Sequence, residues 1–168
     1  TEGDPASALT LLDEALAINQ DLGDIRMVAL TVNTLGIVAM AQGDLATARK
    51  HLNQSLGLSR QTQERRGTAT TLQRLGDLEL REGNLAAARD AFLEAMLLRK
   101  EIGDRWAIFE CGEGFSQAIA PHQPQRAAHL RAITDRLRAL AGASPNLATR
   151  SPADPGSLPA DGALIDNL

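Results

Sequence analysis

One register organises most of this chain. Gly3-Asp4, Gly43-Asp44 and Gly83-Asn84 stand 40 residues apart, and Ala8, Ala48, Ala88 and Ala128 keep the same interval. Leu12, Leu52 and Phe92 follow it, as do Ala15, Ser55 and Ala95, and Leu35-Gly36 and Leu75-Gly76. Gly23-Asp24 and Gly103-Asp104 lie 80 apart, with Gln63-Glu64 as the degenerate middle copy. A repeat of this length is one supersecondary unit that cannot bury its apolar face alone, so successive copies must stack into a shared core.

Between the glycine marks the pattern is helical. Over residues 45–59, Ala48, Leu52, Ser55, Leu56 and Ser59 recur at spacings of three and four, which is one stripe of a 3.6-residue helix. Residues 85–102 repeat it with Ala88, Phe92, Ala95 and Met96. Gly43 and Gly83 supply the left-handed residue that ends a helix, and Asp44 and Asn84 follow as N-caps. The unit is helix–turn–helix, and seven helices are expected at 5–22, 25–42, 44–60, 65–82, 84–102, 105–120 and 124–141. The first is an orphan ahead of three pairs. Residues 1–4 read as the end of a further helix and its turn, as though the array were cut inside a repeat. Composition agrees with helices: 43% of residues are hydrophobic, only 2% are aromatic, and Tyr is absent. A sandwich or barrel would lean on aromatic and β-branched residues.

The spacing resembles the tetratricopeptide repeat. From Gly36, Gly43 falls seven residues on, Ala48 twelve, Leu52 sixteen and Ser55 nineteen; Gly76 is followed by Gly83, Ala88, Phe92 and Ala95 in the same way. The resemblance covers about 1–141 and implies an all-α, right-handed solenoid of antiparallel helix pairs. The 40-residue period, longer than the family's common one, resembles the repeats of kinesin light chains and of large bacterial regulators. Glu101-Ile-Gly-Asp-Arg-Trp-Ala-Ile, with Gln125-Arg-Ala-Ala-His-Leu, is similar to the final repeats of LuxR-type and related ATPase regulators.

The third pair departs from the pattern. Phe115-Ser116 replaces Leu-Gly, Gly112 and Gly114 lie inside the helix at a propensity cost, and His122-Gln123-Pro124 replaces the Gly-Asp turn. Arg136 and Arg138 stand where Leu56/Met96 and Leu58/Leu98 stood. This suits a terminal cap whose outer face meets water. The array is expected over 1–142. Residues 143–168 hold four of the seven prolines among Ala, Ser, Gly and Asp and read as a disordered tail.

The family geometry implies that the first helix of each pair lines a concave groove. Counted from the small residue, positions −6, −3, +1 and +4 then face inward. They are Leu30, Asn33, Ile37 and Met40; Thr70, Gln73, Asp77 and Leu80; and Glu110, Glu113, Gln117 and Ala120. Asn33, Gln73 and Glu113 would form a polar ladder on a floor running from apolar to acidic, suited to a peptide with apolar and basic residues. Asn33 and Gln73 stand where a carboxylate clamp would need positive charge, so a C-terminal carboxylate ligand is disfavoured.

Little else carries chemistry. His122 and His129 lack partners at ligand spacing, His51 reads as a surface residue, and Cys111 as a buried small hydrophobe. Gly112-Glu113-Gly114 has no preceding strand to make a phosphate loop. Trp106 reads as a core anchor. No cofactor, metal or enzyme activity is expected. With 17 basic and 21 acidic residues the net charge is −4, which disfavours nucleic acid except at the locally basic last helix. A lone Cys excludes an internal disulfide framework and, with no long apolar run, points to the cytoplasm and away from a membrane. The chain reads as a protein-interaction scaffold that binds a protein or peptide. It is either the coupling arm of a larger bacterial regulator, with other domains of the same longer chain among its partners, or a freestanding adaptor.

Overall fold

The structure, a computed structural model, describes residues 5–143, with side chains placed over 7–139. The turn at 1–4 and the tail expected at 143–168, its first residue apart, lie outside the described residues. Among the described residues seven helices follow one another: α1 (Pro5–Asp21), α2 (Ile25–Ala41), α3 (Leu45–Gln61), α4 (Arg65–Glu82), α5 (Leu85–Glu101), α6 (Arg105–Ile119) and α7 (Pro124–Ala143). The starts of α1, α3 and α5 are spaced by the 40-residue period, as are those of α2, α4 and α6. The described residues form an all-α stack of helix pairs.

Five turns share one geometry because the sequence repeats its cause. A residue with positive φ follows each of the first five helices: Gly23, Gly43, Gly83 and Gly103 at 68°, 81°, 80° and 72°, and Gln63 at 54° in the degenerate copy. The next N–H then reaches back to a carbonyl of the helix, from Asp24, Asp44, Glu64, Asn84 and Asp104 to Asn19, Ala39, Ser59, Glu79 and Arg99, at 2.8–3.0 Å. The Asp24, Asp44 and Asp104 carboxylates each accept an N–H of the new helix, from Met27, Thr47 and Ala107. Glu64 reaches further and accepts from Arg66 and Gly67.

Asn84 corrects the expectation of a cap at every turn. Its side chain makes no capping bond to α5. Nδ2 instead donates to Glu79 Oε2 at 2.8 Å and Glu82 Oε2 at 3.2 Å. An amide can donate where an aspartate cannot, and charged acceptors draw it away from the helix end.

Each helix packs on its neighbours in the chain. In addition α2 touches α4 and α4 touches α6, whereas α3 and α5 do not meet backbone to backbone. The even-numbered helices are therefore the shorter, inner edge of the stack. Glycines allow the close packing within pairs. A Cβ on Gly36 would stand 2.9 Å from Leu52 Cγ and Cδ2, and one on Gly76 would stand 2.8 Å from Phe92 Cε1 and Cζ. Leu52 and Phe92 are 0% and 1% exposed and centre two apolar clusters, both touched by Leu56.

Gly114 has a use that its sequence context concealed. A Cβ there would stand 2.7 and 2.8 Å from Phe92 Cε1 and Cε2, and nearer still to Cζ. The ring lies between Gly76 on α4 and Gly114 on α6. One register earlier the corresponding residues are Leu52 and Arg74, so the larger core residue goes with the smaller neighbour. Gly114 therefore makes room for the ring in addition to weakening its helix.

Candidate functional site

The inner edge carries an open recess of about 350 Å³ between α2, α4 and α6. Ile37, Met40 and Ala41 line it from α2, Arg74, Asp77, Leu80 and Arg81 from α4, and Gln117 from α6. Ile37, Met40, Asp77, Leu80 and Gln117 belong to the expected groove set, and the fold brings these five to one place. Glu110 and Glu113 are exposed on α6 outside this lining, and Glu113 pairs with Arg138 of α7 at 2.8 Å.

Asn33 and Gln73 are buried at 5% and 9% exposure. Asn33 Nδ2 donates to Thr71 Oγ1 at 2.9 Å, Thr71 and Ser55 share a hydroxyl hydrogen bond at 3.1 Å, and Ser55 Oγ donates to the Ala29 carbonyl at 2.8 Å. This relay ties α2, α3 and α4 together and satisfies each buried donor. Gln73 Oε1 accepts from Arg99 Nη2 at 2.7 Å, and the buried Arg99 lies 3.8 Å from Asp104. The three residues expected as a ladder thus do not form a continuous exposed row. Two spend their polar atoms inside the fold and the third pairs with α7.

Sequence reasoning missed Arg74 and Arg81. They stand three residues before and four after Asp77, a same-face spacing that could have found them. Arg81 Nη1 donates to the Met40 carbonyl at 2.8 Å, capping α2 from α4. Arg74 Nη1 lies 3.4 Å from Asp77 Oδ2, while its Nε is buried without a partner. Burial pushes the Asp77 carboxyl above its ordinary range, and Arg74 and then Arg81 pull it back only in part. The recess therefore joins an apolar wall to a partly buried carboxylate set beside two arginines.

The other residues singled out add no reactive centre. Cys111 is fully buried, as expected, and burial pushes its thiol up to about 11, far from a reactive thiolate. His51 is half-buried, with Nδ1 enclosed, and so is not the plain surface residue expected. Trp106 is 42% exposed and sits edge-on to Phe109 at 6.5 Å. It is not the core anchor expected, because it occupies the first turn of α6, beside the solvent-facing Arg105. Among the described residues no group of three His, Cys, Asp or Glu side chains is placed to hold a metal ion, and no helix is long and apolar enough to cross a membrane.

Residues 26–101, which span α2 to α5, match the family model of the tetratricopeptide repeat. No curated protein and no solved structure matches the chain.

Proposed function

Because residues 26–101 belong to the tetratricopeptide-repeat family, whose repeats mediate protein–protein interaction, we propose that this chain is a non-catalytic scaffold holding a peptide or partner domain against α2, α4 and α6. The recess carries this reading. Ile37, Met40, Ala41 and Leu80 offer an apolar wall, and Asp77 faces it beside Arg74 and Arg81 with a carboxyl that burial pushes above its ordinary range. A segment with an apolar side chain beside Lys or Arg meets both needs. Exposed Glu110 adds negative charge along α6, where Glu113 is paired with Arg138.

The resemblance of 101–108 and 125–130 to the last repeats of LuxR-type regulators supports a finer reading. The array then serves as the coupling arm of a larger bacterial signalling or transcriptional regulator in the cytoplasm, with freestanding adaptor as the second reading. Isothermal titration tests the groove with peptides pairing an apolar residue with either Arg or Glu. The Arg series is expected to bind, and Asp77→Arg to weaken it at least about tenfold, or about 1.4 kcal/mol. Equal affinity for wild type and Asp77→Arg overturns the groove assignment. The mass of the native gene product separates the two contexts: a species several times 17.9 kDa supports the regulator arm, and one near that mass supports the adaptor.

A further inference from the structure

The charged side chains that line the recess are not equally committed. Helices α2 and α6 contribute only Ile37, Met40, Ala41 and Gln117, so the charges of the lining are Arg74, Asp77 and Arg81, all on α4. Arg81 is held in place, because Nη1 donates to the Met40 carbonyl at 2.8 Å. Arg74 is held only weakly. Its Nη1 reaches Asp77 Oδ2 at 3.4 Å, longer than an ordinary hydrogen bond of this kind. That is the one hydrogen bond its side chain makes among the described residues, and Nε is buried without a partner. The order on the helix is also the weaker one, with the cation nearer the N-terminus than the anion.

The guanidinium has room to turn outward. In the repeat register its neighbours are Thr34 on α2 and Gly114 on α6, a small side chain and none. The Arg74 and Asp77 side chains are already 39% and 35% exposed. A lone ligand cation that takes Asp77 must displace Arg74 and then lie beside it, like charge against like. An acidic residue next to that cation removes the conflict, and a carboxylate that accepts from two N–H groups of a guanidinium is a strong pairing.

We propose that Arg74 is the specificity-determining residue of the recess. It turns from Asp77 to an acidic side chain of the ligand, while a cation of the same ligand takes its place on the Asp77 carboxylate. The ligand is then an extended segment with an apolar residue and a base and an acid two positions apart, whose side chains fall on one side of the strand. This rests on the groove reading and narrows the ligand from any basic segment to one that is locally neutral.

The test is isothermal titration of the full chain with three peptides. All share an apolar residue and an Arg, and two positions from that Arg they carry Glu, Gln or Lys. The wild type is expected to bind the Glu peptide about fivefold more tightly than the Gln peptide, and the Lys peptide most weakly. The net charge of −4 on the chain would favour the opposite order by general attraction alone. In Arg74→Gln the order flattens, and the Gln peptide binds at least as tightly as it does to the wild type, because the competing guanidinium is gone. A merely structural arginine would weaken all three peptides alike when lost. Three results overturn the proposal: no gain from Glu on the wild type, a gain that persists in Arg74→Gln, or a Gln peptide that Arg74→Gln weakens. Should Arg74→Gln fail to fold, the order of the three peptides on the wild type decides alone. A Gln peptide that depends on Asp77 but gains nothing from Glu overturns this inference and leaves the groove reading standing. Binding of none of the peptides, or binding indifferent to Asp77→Arg, overturns both.

Discussion

Substituting Gly114 by Ala sets two magnitudes against each other. Inside a helix, Gly→Ala stabilises by up to about 1 kcal/mol through propensity alone. At Gly57 on α3 nothing lies within 4 Å of an added Cβ, so Gly57→Ala should realise about that gain. At Gly114 the added carbon falls about an ångström inside ordinary contact with Phe92, whose Cε atoms would be 2.7 and 2.8 Å away. The ring has little room to retreat, because Gly76 lies so near its other side that a Cβ there would stand 2.8–2.9 Å from it, and the side chain is only 1% exposed. Overpacking of this kind costs about 1–3 kcal/mol, and the tight geometry puts it toward the upper end. Net of propensity, Gly114→Ala is expected to destabilise by about 1–2 kcal/mol. Two chemically identical changes then differ by about 2–3 kcal/mol. Adding Phe92→Leu should recover part of the loss, a coupling of about 1 kcal/mol or more. Urea unfolding followed at 222 nm measures the wild type, the three single variants and the double variant. A Gly114→Ala protein as stable as Gly57→Ala, or one that Phe92→Leu does not rescue, would refute the packing account.

The turns yield two further expectations. Gln63→Gly should raise stability by about 1 kcal/mol, read as a higher melting temperature, because glycine takes the left-handed φ of 54° without the Cβ penalty. Asn84→Asp should lower the melting temperature, although Asp caps three sister turns, because it replaces a donor to Glu79 and Glu82 with a third carboxylate; an increase would contradict that reading. Asp77→Asn should stabilise the chain near neutral pH. Burial raises the folded pKa of Asp77, so the folded state holds its proton at higher pH than the unfolded chain, and stability falls as pH rises through that window. The gain of the Asn variant should therefore vanish as pH falls toward 3, below the ordinary aspartate value of 3.8; a gain independent of pH would exclude titration of Asp77 as its source.

The helices and turns were legible because their causes are local. Gly43-Asp44 states both the end of one helix and the cap of the next, and Gln63-Glu64 could be placed by register alone, without glycine. What stayed hidden depends on partners far along the chain. Asn33 was assigned to the groove by spacing, but its hydrogen bond goes to Thr71, and Gln73 is held by Arg99. Sequence alone shows Gly114 as a plain helix defect, because Phe92, the ring it accommodates, lies 22 residues away on α5. Register equates Asn84 with Asp44, and only the nearby carboxylates of Glu79 and Glu82 show why it turns away. Arg74 and Arg81 were missed because a groove scheme built on backbone direction ignores the reach of long side chains.

The unequal contacts of the two helix rows make this stack a spring with a stiff edge and a soft one. Along the inner row α2, α4 and α6 touch directly, so compression there meets close packing. Along the outer row, α3 and α5 are joined by Arg60 and Glu94, an ion pair whose side chains are about half exposed. Such a pair is screened by salt within a Debye length of about 8–10 Å. Bending therefore costs least in the direction that spreads the outer helices. Raising the ionic strength is expected to weaken that pair first, so a peptide held on the inner face, as proposed, would meet a curvature set by the solvent as well as by the fold.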